Sequence, residues 1–301
     1  MMNYDYVIAD LRLRADRDLV EAGIRGFRPF AVEAEGEADC CIRCVDNIDI
    51  ESLCVRRKLS TSYVAEADAN SSFSRTKSGY MYSIQRNKLG SPMVNFYIER
   101  ESGQVITDIK TTDSIDVSIM RFGIWVMFGV VMAKHGAIAI HSSTIVANGR
   151  GVLFLGESGT GKSTHTRLWR ENIKDAKLLN DDSPIIRVVD DALRVYGSPW
   201  SGKTPCYKNE SYPVAAFCRL AQAPENVIMR LGTIHAIGAL LPSCPPIFAH
   251  DEYLQDCICT TLDRAIANTP VFRLECLPNA DAAKLSYVST IVLTGDVNGG
   301  R

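Results

Sequence analysis

One glycine-rich run carries the clearest chemistry in this chain of 301 residues. Residues 156–163 read GESGTGKS and match the phosphate-binding pattern G-x-x-x-x-G-K-[ST]. In this pattern the glycines let backbone N–H groups converge on phosphate oxygens, the lysine neutralises the β- and γ-phosphates, and the serine hydroxyl binds magnesium. We therefore predict that ATP and Mg²⁺ bind at Gly156, Glu157, Ser158, Gly159, Thr160, Gly161, Lys162, Ser163 and Thr164.

Two adjacent aspartates are the next candidates. Asp181 and Asp182 follow Ser163 by 18 and 19 residues, after the apolar pair at 178–179. One helix and one return strand fit into that interval, which brings the carboxylates back beside the loop. One carboxylate can hold magnesium, and the other can accept a proton from an attacking hydroxyl. Because adjacent strand residues point in different directions, the two roles fall to different side chains.

The elements around the loop have the types that such a site needs. The apolar run at 152–155 predicts a buried strand immediately before the loop, and residues 163–170 can continue as a helix. Strand, loop and helix in this order are the context in which the pattern binds phosphate. His165, early in this helix, is expected on its surface.

Two domains are predicted from the length and from the distribution of patterns. Residues 1–112 show short alternating runs separated by turn residues, which predicts a β-rich domain. This region holds no catalytic motif, so we expect it to dock the acceptor. Cap-type residues at 112–114 then precede apolar residues at helical spacing, which predict an amphipathic helix that opens the second domain and should end near Gly136. Residues 113–301 form the second domain, which carries the loop.

Antiparallel pairing is predicted within the second domain. Residues 184–189 and 192–196 should form one hairpin, residues 217–220 and 227–230 another, and Asn148-Gly149 marks a further hairpin turn. Helices are expected later in the chain, around 233–241, 251–267 and 281–293. The fold class is therefore mixed α/β, with a partly antiparallel sheet.

Composition excludes several classes of protein. The 33 lysines and arginines nearly balance 35 aspartates and glutamates, so a strongly basic nucleic-acid binder is excluded. The longest apolar run, residues 122–133, is shorter than the roughly 18 residues that a membrane helix needs. The charged N-terminus lacks the apolar core of a signal peptide, and we expect a cytoplasmic protein with neither nucleic acid nor membrane as a partner.

The ten cysteines are expected to be free thiols, because the chain is long and carries no secretion signal. Cys41 and Cys44 have the spacing of half a zinc site, but no second pair stands at ligand spacing. Their alternation favours a strand in which cysteine acts as a small apolar residue.

Three features make residues 113–301 resemble the HPr kinase/phosphorylase family, which shares its nucleotide core with phosphoenolpyruvate carboxykinases. They are His141 in the strand before the loop, the glycine-rich run, and Asn180-Asp181-Asp182, where the family typically shows Ala-Asp-Asp. The segment 197–203, GSPWSGK, also looks like one in HPr-kinase-like proteins of peptide-modification clusters. The chain departs from the family at Ser142, where glycine is usual, so HPr itself is not the expected acceptor.

This resemblance implies a kinase that uses ATP and Mg²⁺ to phosphorylate a serine of a peptide or small protein. By the same resemblance Asp181 is the base, and Asp182 faces the metal together with Ser163. Lys203 would contact the transferred phosphate, and His141 would lie beside Asp181 and tune its carboxylate. A homo-oligomer is also implied.

Two other functions stay open. The protein could be a nucleotide-sensing binding protein without catalysis, or a carboxykinase-like phosphotransferase acting on a small molecule. A GTP-driven switch is disfavoured, because Asn87-Lys88-Leu89-Gly90 lacks the final carboxylate of a guanine-reading motif. The presence of both aspartates and Lys162 favours a kinase over a sensor.

Overall fold

Helices and strands share the chain in a mixed α/β arrangement, which confirms the predicted fold class. The computed structural model describes residues 3–16, 25–110, 116–202 and 204–295. The expectations for Lys203 and for the cap residues at 112–114 lie outside these residues. The chain divides into two compact units, Met1–His135 with Ile247–Asp256 and Gly136–Pro246 with Cys257–Arg301.

Alternating apolar residues in the first unit build one sheet. Its strands are β1 Asn3–Ile8, β2 Leu11–Asp16, β3 Ala31–Val32, β4 Cys40–Cys44, β5 Arg57–Val64, β6 Ala69–Arg75, β7 Gly79–Arg86, β8 Met93–Glu99 and β9 Gln104–Thr107. Within the described residues these nine strands are ordered β3-β1-β2-β4-β9-β8-β7-β6-β5. Short 3₁₀ helices occur at Arg25–Phe30 and Ala65–Ala67. The β-rich character predicted for the N-terminal region is therefore present.

A long helix, α1 Val117–Lys134, packs on strands β7 and β8 of the same unit. Asp116 caps it by accepting a hydrogen bond from the backbone N–H of Ile119 at 3.2 Å. Gly123 permits the close approach to the sheet, since a Cβ there would lie 2.2 Å from the ring of Phe96. The compact unit thus extends beyond residue 112, while separate folding of residues 1–112 stays a prediction.

Helix α1 is, in the part of the chain that the structure describes, the one helix long and apolar enough to cross a membrane by length and composition. Its mean hydropathy is 1.6, and 67% of it is buried inside the protein. The sequence expectation about membranes counted only the uninterrupted run at 122–133, which is shorter than the helix that contains it. Burial of this extent is typical of a core helix.

The second unit is built on another sheet. Its strands are β10 Ala137–Ala139, β11 Ser142–Ala147, β12 Arg150–Leu155, β13 Lys177–Asp182, β14 Ile185–Val189, β15 Ala192–Tyr196, β16 Ser211–Gln222, β17 Val227–Arg230 and β18 Val271–Cys276. Seven of the described strands follow the order β10-β14-β15-β16-β12-β11-β13, with β18 beside β16 and β17 beside β18. The pairs β12–β16 and β16–β18 are parallel, and the other pairs are antiparallel.

Two of the predicted hairpins are confirmed. Strands β14 and β15 pair around Asp190 and Asp191, and β11 pairs with β12 around Asn148-Gly149. All four turn residues have positive φ, as tight hairpin turns require. The third is wrong, because β17 pairs with β18 and not with β16. The second half of β16 instead lies between two parallel partners, β12 and β18, which cover its backbone hydrogen-bonding groups.

The remaining helices follow the loop and the C-terminal pattern. They are α2 Lys162–Asn172, α3 Thr233–Leu240, α4 Glu252–Asn268, α5 Ala280–Tyr287 and α6 Leu293–Gly295, with 3₁₀ turns at Leu241–Ser243 and Pro246–Phe248 and a π-helix at Val288–Val292. The helices predicted near 233–241, 251–267 and 281–293 are present. Helix α5 packs on α2, and Phe154, Trp169 and Leu274 lie in the core between sheet and helices.

Candidate functional site

The glycine-rich run connects β12 to α2, which confirms the predicted order of strand, loop and helix. Gly156, Gly159 and Gly161 have φ values of 151°, 84° and 101°, a region in which other residues are strained. At Gly156 a Cβ would also lie 2.5 Å from the hydroxyl oxygen of Thr160. Gly161 offers no side chain to cap α2, so the N–H groups of its first turn can bind an anion.

Lys162 folds back onto the loop that precedes it. Its ammonium donates hydrogen bonds to the carbonyl oxygens of Gly156 at 2.7 Å and Glu157 at 3.2 Å. Burial lowers the pKa of Lys162, and the nearby Asp182 and Asp181 carboxylates oppose that effect. The ammonium therefore lies at the Gly156–Glu157 end of the loop. It is close enough to Asp181 and Asp182 for their negative charges to stabilise its charged form.

Strand register brings the loop and the aspartates to one edge of the sheet. Ser142, at the start of β11, pairs with Leu155 on one side and with Asp182 on the other. Because both pairs are antiparallel, the ends of β12 and β13 lie at the same edge. The predicted return of the carboxylates to the loop is confirmed in this geometry.

Asp181 is the carboxylate that contacts the loop's serine. The Ser163 hydroxyl lies 3.0 Å and 3.2 Å from the two carboxylate oxygens of Asp181, which is 6% exposed. The expectation placed Asp182 beside Ser163, whereas the contact that the structure gives is with Asp181, and the division of roles between the two carboxylates stays a prediction. Alternation along β13 turns Asp181 toward Ser163 and leaves the more exposed Asp182 with different neighbours.

Asp182 lies beside His141. The Nε2 atom of His141 is 3.7 Å from a carboxylate oxygen of Asp182, and the two side chains are 44% and 49% exposed. The expectation that His141 lies beside Asp181 is wrong for the same reason of alternation. Partial burial, followed by repulsion from Lys162, lowers the pKa of His141, although Asp182 acts in the opposite direction. Asp182 has a φ of 135°, a strained conformation of the kind that concentrates at functional sites.

A second loop, residues 197–206 apart from Lys203, packs against the aspartate pair. Ser201 forms a backbone bridge with Asp182, and the Gly202 N–H donates to the Asp181 carbonyl at 2.6 Å. A Cβ at Gly202 would lie 3.0 Å from that carbonyl oxygen. Any other residue would therefore require this backbone to shift by a few tenths of an ångström.

Asn180 holds this second loop in place. It is fully buried, and its amide group donates to the carbonyl oxygens of Trp200 at 2.9 Å and Cys206 at 3.3 Å. Its carbonyl oxygen accepts from the Ser183 N–H at 3.0 Å. In the sequence, Asn180 was noted only as a position where the resembled family has alanine. No local pattern around Asn180 indicated that it holds a loop.

Arg219 is a residue that sequence reasoning missed. It lies on β16 opposite Leu155, the last residue before the loop. Its guanidinium donates to the Glu157 carboxylate at 2.9 Å and to the Ala239 carbonyl at 3.0 Å. The contact could not be predicted locally, because it depends on the pairing of β12 with β16. Glu157 and Arg219 are 62 residues apart in the sequence.

His165 supports the loop's helix from inside the core. It is 3% exposed, its Nε2 lies 2.9 Å from the Ser286 hydroxyl, and Trp169 donates to the same hydroxyl at 2.8 Å. The expectation of a surface position is wrong, because α5 covers this side of α2. Burial lowers the pKa of His165 to about 4.

The donor set fits magnesium. In phosphate-binding loops the ion is held by a hydroxyl, a carboxylate and the nucleotide's own phosphates. Ser163 and Asp181 supply the first two and are already in contact. Within the described residues, no group of three or more His, Cys, Asp or Glu side chains has an arrangement that could hold a metal ion by itself.

The fold and the site define a mixed α/β protein with a glycine-rich loop between strand and helix and an aspartate pair beside it. A family model described as "SynChlorMet cassette protein ScmC" matches residues 105–258, just over half of the chain. The chain therefore belongs to the ScmC family.

Other comparisons are more distant. No curated protein sequence matches the chain. A solved structure of the HPr(Ser) kinase/phosphatase from Coxiella burnetii is similar at 12% sequence identity and a TM-score of 0.30, covering 54% of this chain and 97% of that chain. At this distance the likeness transfers no activity, and the matched family is ScmC rather than the HPr kinases.

Proposed function

We propose that this protein is a magnesium-dependent kinase that transfers the γ-phosphate of ATP to a serine hydroxyl of a peptide or small protein. The observation that carries the proposal is the contact between Ser163 and Asp181 at the start of α2, with Asp182 on the adjoining position. The contact unites a phosphate-binding loop with two carboxylates. Phosphoryl transfer needs such groups for a metal and for a nucleophile.

Ser163 and Asp181 form the metal side of the proposed site. When bound, magnesium would neutralise charge on the β- and γ-phosphates. Asp181 is the better carboxylate for this role, because it is buried against Ser163, whereas Asp182 is half-exposed. This assignment reverses the one implied by the family resemblance.

Asp182 then serves as the base. Its carboxylate is accessible to an acceptor, and it would take the hydroxyl proton as the acceptor oxygen bonds to the γ-phosphorus and the bond to ADP breaks. His141 is a positioning residue, and its lowered pKa keeps the imidazole neutral near pH 7. Lys203 keeps its proposed role as a phosphate contact.

The N-terminal unit is proposed to dock the acceptor. Strands β5 to β8 carry an open groove of about 440 Å³, lined mainly by polar side chains that can bond a peptide backbone. The lining residues are Lys58, Thr61, Ser62, Tyr63, Asn70, Ser71, Ser72, Ser83, Gln85 and Met93. A cytoplasmic location and a homo-oligomer complete the proposal.

Magnesium titration of two variants tests the division of roles. Asp181→Asn should raise the magnesium concentration needed for half-maximal activity, since a metal ligand is lost. Asp182→Asn should leave that requirement unchanged and slow transfer by about 10²-fold, the scale of general base catalysis. Single-turnover consumption of labelled ATP with an array of serine peptides, and with water as the acceptor, provides the readout.

Two outcomes contradict the proposal. The reverse pattern would mean that the carboxylates exchange roles, as the family resemblance implies. If the wild-type protein binds ATP but transfers phosphate to neither peptide nor water, it is not a peptide kinase, and a nucleotide sensor or a phosphotransferase for a small molecule takes its place.

A further inference from the structure

The position of Arg219 places a cation at the phosphate end of the site. Strands β16 and β12 are parallel, so their carboxyl ends meet at one edge of the sheet, where ligands of such sheets bind. Register sets Arg219 beside Leu155 and hence beside the start of the loop. Lys162, the expected ligand of the β- and γ-phosphates, donates to the Glu157 carbonyl oxygen, and Arg219 donates to the Glu157 carboxylate, so both cations lie beside this residue of the loop.

The two terminal nitrogens of the Arg219 guanidinium have different partners, one on α3 and one on the glycine-rich loop. One terminal nitrogen donates to the Ala239 carbonyl in the last turn of α3, and the other donates to the Glu157 carboxylate. The Arg219 side chain is 25% exposed, whereas that of Glu157 is 72% exposed. A mostly buried cation is thus paired with an acid on the surface of the loop.

A phosphate would compete well for this guanidinium. Ion pairs with an exposed partner contribute little, because water and salt screen them. A phosphate offers the planar guanidinium two parallel charge-assisted hydrogen bonds, which are stronger. Repulsion from Arg219 also contributes, as a minor cause after burial, to the lowered pKa of Lys162, so the two cations are close enough to repel each other.

We propose that Arg219 binds the γ-phosphate of the nucleotide, and that Glu157 occupies the guanidinium until the phosphate replaces it. Arg219 thereby distinguishes a triphosphate from a diphosphate, and Glu157 acts as an internal competitor. This inference depends on the nucleotide site proposed above. It concerns two residues to which the sequence pattern assigns no separate roles.

Calorimetric titration with ADP and a non-hydrolysable ATP analogue, both with magnesium, tests the inference. Arg219→Gln should weaken binding of the ATP analogue by about tenfold or more, the equivalent of one lost charge-assisted bond, and weaken ADP much less. Arg219→Lys, which keeps the charge but not the planar fork, should lose part of that affinity. Glu157→Gln should tighten the ATP analogue several-fold, and adding it to Arg219→Gln should give no further gain.

The controls separate this inference from the nucleotide site itself. Thermal unfolding shows whether each variant is folded, and the Glu157→Gln arm leaves the Ala239 contact of Arg219 intact. Equal loss of ADP and ATP-analogue affinity in Arg219→Gln, or no gain in Glu157→Gln, would overturn the inference. If the wild-type protein binds neither nucleotide, the proposed function fails instead.

Discussion

His141 and His165 stand on either side of the glycine-rich loop along the chain, and burial separates their roles. His141 is 44% exposed and lies beside Asp182, whereas His165 is 3% exposed and bonds to Ser286. An accessible imidazole can assist a carboxylate at a reaction centre. A buried one with a hydroxyl partner stabilises the helix that carries Lys162 and Ser163.

Protonation of His165 should destabilise the protein in mild acid. Burial lowers its pKa to about 4 from an ordinary value of 6.5. As the pH falls from 6.5 to 4, the unfolded chain takes up a proton on this ring and the folded protein does not, so the free energy of unfolding falls. His165→Gln, which can still bond Ser286, should therefore make the stability less dependent on pH across that range.

Urea unfolding at several pH values between 4 and 7 provides the measurement. His235→Gln is the matched control, because His235 is exposed on α3. An unchanged pH dependence in the His165 variant, or the same change in the His235 control, would contradict this account of burial.

At the scale of elements, the site depends on the second loop, which is hydrogen-bonded to the end of β13. Asn180 bonds to backbone groups of residues 183, 200 and 206, and these bonds hold the second loop against Asp181 and Asp182. The strained φ of Asp182 persists because the neighbouring bridge to Ser201 fixes the backbone. The described part of this loop therefore orients the aspartates.

Removal of the Asn180 amide should affect turnover more than nucleotide binding. Asn180→Ala leaves buried carbonyl groups without a donor, which costs on the order of 1–3 kcal/mol of stability. We expect turnover to fall about tenfold or more, since small displacements of catalytic groups are costly, while ATP affinity stays within about twofold. Steady-state transfer, calorimetry and urea unfolding measure the three quantities.

Asn172→Ala is the control for this prediction. Its amide bonds to the Leu168 carbonyl at 2.8 Å, near the end of α2 and outside the second loop. It should lose some stability and keep its turnover. Equal losses of ATP affinity and turnover in Asn180→Ala would contradict a role confined to orienting the aspartates.

Sequence patterns predicted the elements whose causes are local. Asn148-Gly149 marks a turn, the apolar run before Gly156 marks a strand, and the glycine pattern marks the loop. Pairing of β17 with β18, in contrast, depends on which strands can lie beside the buried β16, and no local pattern contains that information. Arg219 and Asn180 were missed or undervalued for the same reason, because their partners are distant in sequence.

The order in which Asp181 and Asp182 face the loop could not be predicted from the sequence. Their return to the loop followed from spacing, since one helix and one strand fit between Ser163 and Asp181. Which of them faces Ser163 depends on the face of β13 that meets α2, and that face is set by the whole sheet. The resemblance supplied an order for the two side chains, and the contact distances favour the opposite one.

At the scale of the whole molecule, the compact units do not divide at residue 112. Helix α1 packs on β7 and β8, so a cut after residue 112 would separate its apolar side from the strands that cover it. Full-length protein is therefore the right material for tests of the nucleotide site. A net charge of −2 provides no strong general attraction for ATP, so the proposed binding depends on local cations such as Lys162 and Arg219.

The central claim is that this loop binds Mg-ATP through Lys162, and calorimetric titration of full-length protein tests it most directly. Lys174→Ala, which removes an exposed lysine beyond α2, is the matched control. We predict that wild-type protein and Lys174→Ala bind Mg-ATP equally, and that Lys162→Ala weakens binding by about 10²-fold, because several charge-assisted bonds to phosphate are lost. Equal affinity of Lys162→Ala and wild-type protein for Mg-ATP would contradict the account.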